Sequence, residues 1–191
     1  MKIAALLAAP AAAALLTFAA PAPAAETVAV PRFRGIELHG GGEIAVRYGR
    51  VQRVTLIEGS SAVTHMRLKP EGVLRIDVCE ANCPDHYRLR VVIETPSVAS
   101  LAIDGGGRMV AEAGFPAQKG FAAALRGGGQ IDGRAVEARS VQAAVKGGGS
   151  LLVRASANLS AAVQGGGSIR YWGHPHVMSA VSGGGSIDRG G

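Results

Sequence analysis

The sequence is poor in aromatic side chains, which make up 4% of its 191 residues and include one tryptophan and three tyrosines. Proteins that bind nucleic acid interleave basic residues with aromatic rings on which the bases stack. This chain carries a formal net charge of +6, but it has too few rings for such a platform. We therefore expect no nucleic-acid partner, and we expect the positive charge to favour other anionic surfaces.

Paired or clustered carboxylates are also lacking. Glycosidases hold two carboxyl groups about 5–10 Å apart, and calcium sites collect several acidic oxygens. Asp132 and Asp188 occupy the same position in a repeat described below, but three strand spacings separate them, about 14 Å. The segment His174–His176 could bind a metal, although an ordinary turn fits it better. The sequence thus predicts no catalytic residues, no metal and no cofactor.

No apolar run suits a membrane-spanning helix, which needs about 20 predominantly apolar residues. The longest run, from Ile3 to Ala20, is rich in alanine and contains proline. It follows Lys2 and precedes Ala22-Pro23-Ala24, the small-residue cleavage pattern of secretory signals. We therefore assign residues 1–25 to a signal peptide and residues 26–191 to a single mature domain. We expect export to the periplasm, or secretion to the cell surface, without a membrane span in the mature chain.

Only two cysteines are present, Cys79 and Cys83. An even pair in an exported chain is most simply a disulfide. Three residues separate the two thiols, whereas redox-active motifs have two, and a metal site made with His86 is disfavoured in an oxidising compartment. We expect a disulfide that closes a short loop between two strands.

Glycine is abundant, with 28 residues, and its distribution organises the chain. Three consecutive glycines occur six times, followed each time by one residue and then by an aliphatic residue or methionine. From the second run onward, the first glycines lie 22, 20, 18 and 18 residues apart. A repeat of about 20 residues is typical of solenoids, in which each unit buries its apolar face against its neighbours. The runs are Gly40–Gly42, Gly105–Gly107, Gly127–Gly129, Gly147–Gly149, Gly165–Gly167 and Gly183–Gly185.

Apolar residues alternate with others on both sides of these runs, which is the pattern of strands with one buried face. Two residues before each first glycine, the sequence has Leu38, Ile103, Leu125, Val145, Val163 and Val181. Four residues after it, the sequence has Ile44, Met109, Ile131, Leu151, Ile169 and Ile187. A unit of 18 residues has no room for a helix besides two strands and two bends.

The repeat therefore predicts an all-β fold, a parallel β-helix with coils of about 18–22 residues. Residues 27–104 are less regular, so we expect irregular, β-rich coils there, and the 65 residues from Gly40 to Gly105 equal about three coils. A flexible glycine linker does not explain the apolar columns. A calcium-binding roll requires aspartate two residues past the third glycine, where this chain is apolar.

Further motifs strengthen one resemblance. Phe33–Ile36 opens the domain, Glu71–Ile76 and Val91–Pro96 precede the repeats, and Tyr171, Gly173 and Pro175 are spaced as Tyr-x-Gly-x-Pro. Together with the glycine runs, these motifs resemble the auto-transporter adhesin head GIN domain family over roughly residues 30–187. The chain departs from the family pattern by having glycine where the family has a middle serine. It also has mostly serine or glutamine where the family has an aspartate before the aliphatic residue.

The resemblance implies a right-handed β-helix, export, and an adhesive or envelope role, and the family offers no established catalytic residues to transfer. We expect a non-catalytic adhesion, binding or scaffolding module of the bacterial cell envelope. A purely structural envelope protein without a ligand is the first alternative. A carbohydrate-active β-helix enzyme is a more distant one.

One outward-facing column combines arginines with the only tryptophan. It contains Glu112, Arg134, Arg154 and Trp172, each seven residues past a first glycine and about 4.8 Å from the next. We expect Glu112 to pair with Arg134, and Arg154 to lie over Trp172 in a cation–π contact. With Arg170 beside them, Arg134, Arg154 and Trp172 form the candidate site for an anionic glycan or another anionic envelope component. The alternative is a solvated face whose pairs only stabilise the coils.

A second basic strip borders the glycine bends. Arg126 and Lys146 each precede a run, and Arg108 follows one. Glycine amides nearby could help these side chains to hold an anion. Pairing of Arg126 with Asp104 on the neighbouring coil is the alternative.

Two further surfaces predict self-association or partner binding. Three residues before each first glycine of the later runs the side chain is small, which gives a flat, uncharged face that the N-terminal segment or a second chain should cover. The last repeat is followed by no capping segment, so its strands should present an open edge. The small residues are Ala102, Ala124, Ala144, Ala162 and Ala180.

Overall fold

A computed structural model describes residues 25–79 and 82–191. The predicted signal peptide therefore lies, apart from Ala25, outside the described residues. Within them, all regular secondary structure is β, as the repeat predicted. No helix in this part of the chain is long and apolar enough to cross a membrane.

Fifteen strands join in one hydrogen-bonded sheet over the described residues. They are β1 (Glu26–Val28), β2 (Gly35–Gly40), β3 (Glu43–Tyr48), β4 (Arg53–Glu58), β5 (His65–Leu68), β6 (Val73–Asp77), β7 (Arg90–Thr95), β8 (Ser100–Gly105), β9 (Arg108–Ala111), β10 (Gln118–Gly127), β11 (Gln130–Gly147), β12 (Ser150–Gln164), β13 (Ser168–Trp172), β14 (His176–Ser182) and β15 (Ser186–Arg189).

Parallel strands form two series that meet at the glycine bends. Before the bends, β6, β2, β8, β10 and the C-terminal parts of β11 and β12 pair in turn, and β14 follows. After the bends, β7, β3, β9 and the N-terminal parts of β11 and β12 pair in turn, followed by β13 and β15. We call each strand–bend–strand unit a rung.

Antiparallel pairs, which the repeat did not predict, occur at the two ends of the strand order that runs from β1 to β5. Strand β4 pairs antiparallel with both β1 and β7, and β5 pairs antiparallel with β6. The sheet is therefore mixed. The irregular segment between the first two glycine runs supplies most of these strands, so it adds antiparallel pairs where we expected further coils.

The rungs do not follow one another in chain order. Gly40 is the register partner of Gly105, so the first two glycine runs are adjacent although 65 residues separate them. Strands β6 and β7 form a rung on the other side of β2 and β3. The irregular coils expected between the runs are therefore not stacked between the first two rungs, because the intervening chain crosses to the far side of the first rung before returning.

The apolar columns predicted from the repeat lie in register across the rungs. Val145 is the register partner of Val163, and Val163 that of Val181. The members of this column are buried except at the last rung, where Val181 is 48% exposed, against 1% for Val163. The expectation that Val181 is buried is wrong, because no described strand covers the outer side of β14.

Three glycines recur because neighbouring rungs approach closely at the bends. Gly147 has a φ of +125°, and a Cβ on it would lie 2.5 Å from the carbonyl oxygen of Gly127. A Cβ on Gly149 would overlap the carbonyl oxygen of Gly129. A Cβ on Gly148 would meet nothing within 4 Å. The first and third positions thus require glycine, whereas the middle position has space for a side chain, such as the serine that the resembling family carries there.

Candidate ligand-binding surfaces

The predicted arginine–tryptophan site lies on the outer side of β12 and β13. Arg154 and Trp172 are register partners, and Arg170 lies two residues before Trp172, on the same side of its strand. Arg154 and Arg170 are exposed, while Trp172 is partly buried. The structure therefore brings three of the four predicted residues together on adjacent strands.

Arg134 also contacts this cluster, but it does so from outside the register position that the repeat predicted. The register between β11 and β12 shifts between Asp132 and Glu137, so Glu137, not Arg134, is the partner of Arg154. From this irregular segment, the Arg134 guanidinium extends over the Trp172 ring, 4.9 Å from its centroid. The predicted cation–π contact between Arg154 and Trp172 is therefore replaced by one from Arg134.

The predicted pairing of Glu112 with Arg134 is also wrong. Glu112 accepts a hydrogen bond from Nε of Arg47 at 2.9 Å. Arg134 instead donates from Nε and Nη2 to the two carboxylate oxygens of Asp132, at 2.9 and 2.6 Å. Burial raises the pKa of Asp132, but the hydrogen bonds and charge of Arg134, with the charge of Arg108, outweigh it, so the pKa lies below its ordinary value of 3.8. This arrangement keeps Asp132 ionised and holds the Arg134 guanidinium in place.

Trp172 makes two further contacts within the chain. Its indole Nε1 donates a hydrogen bond to the carbonyl oxygen of Gly191 at 2.9 Å. A Cβ on Gly190 would overlap the ring, so the backbone there packs directly against it. The tryptophan is consequently held between Arg134 and residues Gly190 and Gly191, while Arg154 and Arg170 are the cations of this face that form no ion pair within the described chain.

The second basic strip is only partly assembled. Arg126 and Lys146 are register partners on β10 and β11, and Arg126 is also the partner of Asp104 on β8. Arg108 lies across the bend on β9, where it donates a hydrogen bond to the side-chain oxygen of Gln130. Arg126 and Lys146 are thus neighbours, while Arg108 belongs to a different surface.

The small-residue face is exposed in the described chain. Ala124, Ala144, Ala162 and Ala180 are all exposed, and the first three line a groove together with their neighbours. The described N-terminal strand, β1, pairs with β4 and does not cover this groove. Coverage by a second chain stays a prediction, as does association through the edge of β14 and β15.

Sequence reasoning missed a cleft of about 700 Å3 beside the first glycine run. The connection between β6 and β7 occupies the place of a bend on the adjoining rung. It contains the Cys79–Cys83 disulfide, which confirms the predicted bridge. Arg88, Arg90 and Arg108 line the cleft together with Glu43 and Glu58. The basic residues around position 89 were a visible signal, but only the non-sequential rung order brings them into the same cleft as Arg108, with β3 between their strands.

A buried ionic cluster was also missed. The Asp77 side chain is fully buried, and its carboxylate lies 2.7 Å from Nε of Arg75, 2.8 Å from Nη2 of Arg67 and 3.2 Å from Nδ1 of His39. Arg75 also pairs with Glu37 at 3.2 Å. These contacts connect β2, β5 and β6 and hold the three strands together. No group of three or more histidine, cysteine or acidic residues that could hold a metal occurs among the residues that the structure describes.

The glycine-repeat region matches a known family. The model described as "Putative auto-transporter adhesin, head GIN domain" matches residues 117–175, which span β10 to β13. This match confirms the resemblance inferred from the motifs. Among curated proteins the chain has no match.

The chain is also similar to solved structures. A "putative adhesin" from Bacteroides fragilis NCTC 9343 superposes with a TM-score of 0.54 at 17% identity, covering 87% of this chain and 96% of that one. A "putative adhesin" from Parabacteroides merdae ATCC 43184 gives 0.45 at 14% identity, covering 88% and 96%. A "putative cell adhesion protein" from Clostridium sporogenes ATCC 15579 gives 0.42 at 10%, covering 87% and 98%. At these identities, the first likeness establishes a shared fold only.

Proposed function

We propose that the chain is a non-catalytic, exported adhesion or binding module of the bacterial cell envelope, with residues 26–191 forming one domain. The family match and the adhesin names of the structural relatives support a binding role. The proposed architecture is a right-handed parallel β-helix, supported by the in-register columns from Leu38 to Val181 and from Ile44 to Ile187.

The proposed partner is an anionic glycan or another anionic envelope component, bound by Arg154 and Arg170 beside Trp172. The observation that carries this proposal is the state of the two guanidiniums: both are exposed on adjacent strands, and neither forms an ion pair within the described chain. Their register neighbours Glu137 and Asp188 are near enough to attract them, so a ligand must compete with these carboxylates. Charge-assisted, bidentate contacts to carboxylate or phosphate groups suit arginine well.

Replacing Arg154 and Arg170 together with alanine is expected to weaken binding to an acidic polysaccharide such as polygalacturonate by roughly tenfold or more, since each hydrogen bond to a charged group is worth about 1.5–3 kcal/mol. Calorimetric titration of the purified chain against the acidic polymer and against neutral dextran measures the effect. Arg50, an exposed arginine in the turn after β3, gives the matched control, and Arg50→Ala should change binding less than twofold. Unchanged binding in the double variant would refute the site.

A second candidate function, that of a structural envelope protein without a ligand, is favoured by the contacts of Trp172. Its ring is engaged by Arg134 and packed against Gly190, an arrangement that stabilises the last rungs whether or not a ligand binds. If this is the function, the native chain should bind the acidic polysaccharide no more tightly than the Arg50→Ala and double-alanine variants do. The same titration therefore separates the two functions.

A further inference from the structure

We infer that the cleft beside the first glycine run is a separate binding site for a carboxylate-bearing sugar. It lies between Gly40–Gly42 and the connection from β6 to β7, on the rung that carries the Cys79–Cys83 disulfide. Its volume of about 700 Å3 falls within the usual range for small-molecule sites. The inference does not depend on the arginine–tryptophan face, which uses other residues on later rungs.

Glycines at two adjacent bends leave space in the cleft. A Cβ on Gly41 or on Gly106 would meet nothing within 4 Å, so both middle glycines border free space on the cleft side of their bends. Leu89 is buried, and with the partly buried Val78 it provides an apolar lining. The recess is therefore bordered on one side by two adjacent glycine bends that carry no side chains.

The charge in the cleft favours an anion. Arg90 lies 3.5 Å from carboxylate oxygens of both Glu43 and Glu58, and the three arginines of the lining outnumber these two acidic residues by one. Arg88 is exposed and has no partner in the described part of the chain. Arg108 donates to the neutral amide of Gln130.

Asp132, whose carboxylate is influenced by the charge of Arg108, is already held by Arg134 through two hydrogen bonds. Arg88 and Arg108 are thus the two arginines of the cleft that form no ion pair within the described chain. Two guanidiniums at one recess match a carboxylate, because each offers paired donors in a plane.

The apolar side of the cleft suits the ring of a sugar. Tyr87 lines the cleft, and its hydroxyl accepts a hydrogen bond from the Ser60 amide at 2.9 Å and lies 2.6 Å from Oγ1 of Thr64. These contacts fix the ring before a ligand arrives, which reduces the entropy that binding would cost. A fixed ring beside Val78 and Leu89 can contact the C–H face of a pyranose while Arg88 and Arg108 hold its carboxylate.

The test is titration of the purified chain with glucuronate, glucose and inorganic sulfate, followed by backbone amide NMR. We expect saturable binding of glucuronate, at least tenfold weaker binding of glucose and of sulfate, and shifted amide signals at Gly41, Arg88 and Gly106. Arg88→Ala should weaken glucuronate binding by roughly tenfold, because one charge-assisted contact is lost.

A matched pair of variants tests the location. Gly106→Asp places a carboxylate at the mouth of the cleft and should abolish glucuronate binding, while Gly148→Asp makes the same change at the same open position two rungs away and should preserve it within twofold. Should Gly106→Asp fail to fold, Arg88→Ala decides the question, since its side chain is exposed. Equal binding by the native chain and Arg88→Ala, equal affinity for sulfate and glucuronate, or shifts confined to the face around Arg154 would overturn the inference.

Discussion

Replacing Gly147 with alanine is expected to lower the free energy of unfolding by about 3 kcal/mol or more. The φ of +125° is one that residues with a Cβ rarely adopt, and holding such a residue there costs roughly 1–3 kcal/mol. The added methyl would also lie 2.5 Å from the Gly127 carbonyl oxygen, so two rungs would have to separate. Chemical denaturation of the native and substituted chains measures the loss.

Gly148→Ala is the matched control, since it makes the same change one residue further along. Its Cβ meets nothing within 4 Å and its φ lies outside the left-handed region. We expect this variant to be as stable as the native chain, or more stable by about 0.4–1 kcal/mol, because alanine restricts the unfolded chain. Equal losses in the two variants would contradict the close stacking of the bends.

Val163→Asp is expected to prevent folding or to cost several kcal/mol, since an unpaired carboxylate would replace a side chain that is 1% exposed. Val181→Asp, in the same column one rung further on, should cost less than about 1 kcal/mol, because that position is 48% exposed and the charge can stay hydrated. Circular dichroism and denaturant unfolding of both variants provide the measurement. A Val181→Asp chain as unstable as Val163→Asp would indicate that the last rung is covered in solution.

Local pattern was sufficient to predict the strands and their buried faces. The alternation predicted on the two sides of the first glycine run coincides with β2 and β3. The alternation around each glycine run identifies residues that the structure buries, such as Leu125 and Leu151. These features depend on period-two alternation and on the small volume of glycine, and both can be read within one repeat.

Strand order could not be predicted in the same way. The return of the chain to place β6 and β7 beyond the first rung depends on pairings between distant segments, and several alternating strands of similar composition could have occupied that place. The antiparallel pairs of β4 and β5 are subject to the same ambiguity. The cleft, which depends on this order, was missed for the same reason.

The arginine–tryptophan face depends on an irregular rung, which the aligned columns of the repeat do not show. The step from Gly127 to Gly147 is two residues longer than the two steps after it. The structure accommodates the difference by three extra residues between Asp132 and Glu137 and one fewer before Ser140. The longer step was visible in the sequence, but the position of the extra residues within the rung was not. Arg134 lies in the irregular segment between Asp132 and Glu137. The alignment of columns therefore placed the wrong arginine over Trp172.

The account rests on neighbouring rungs being parallel and in register, and site-directed cross-linking tests this most directly. Ala144 and Ala162 are exposed register partners on β11 and β12, so their Cα atoms should lie about 4.8 Å apart, within the range that a disulfide spans. Ala144 and Ser160 are offset by two residues, about 8 Å, which is too far.

Oxidation of the Ala144→Cys/Ala162→Cys chain, followed by mass spectrometry of its peptides, should show a new disulfide beside that of Cys79 and Cys83. The Ala144→Cys/Ser160→Cys chain should show none. Cross-linking of the offset pair in preference to the aligned pair would mean that the rungs do not stack as described.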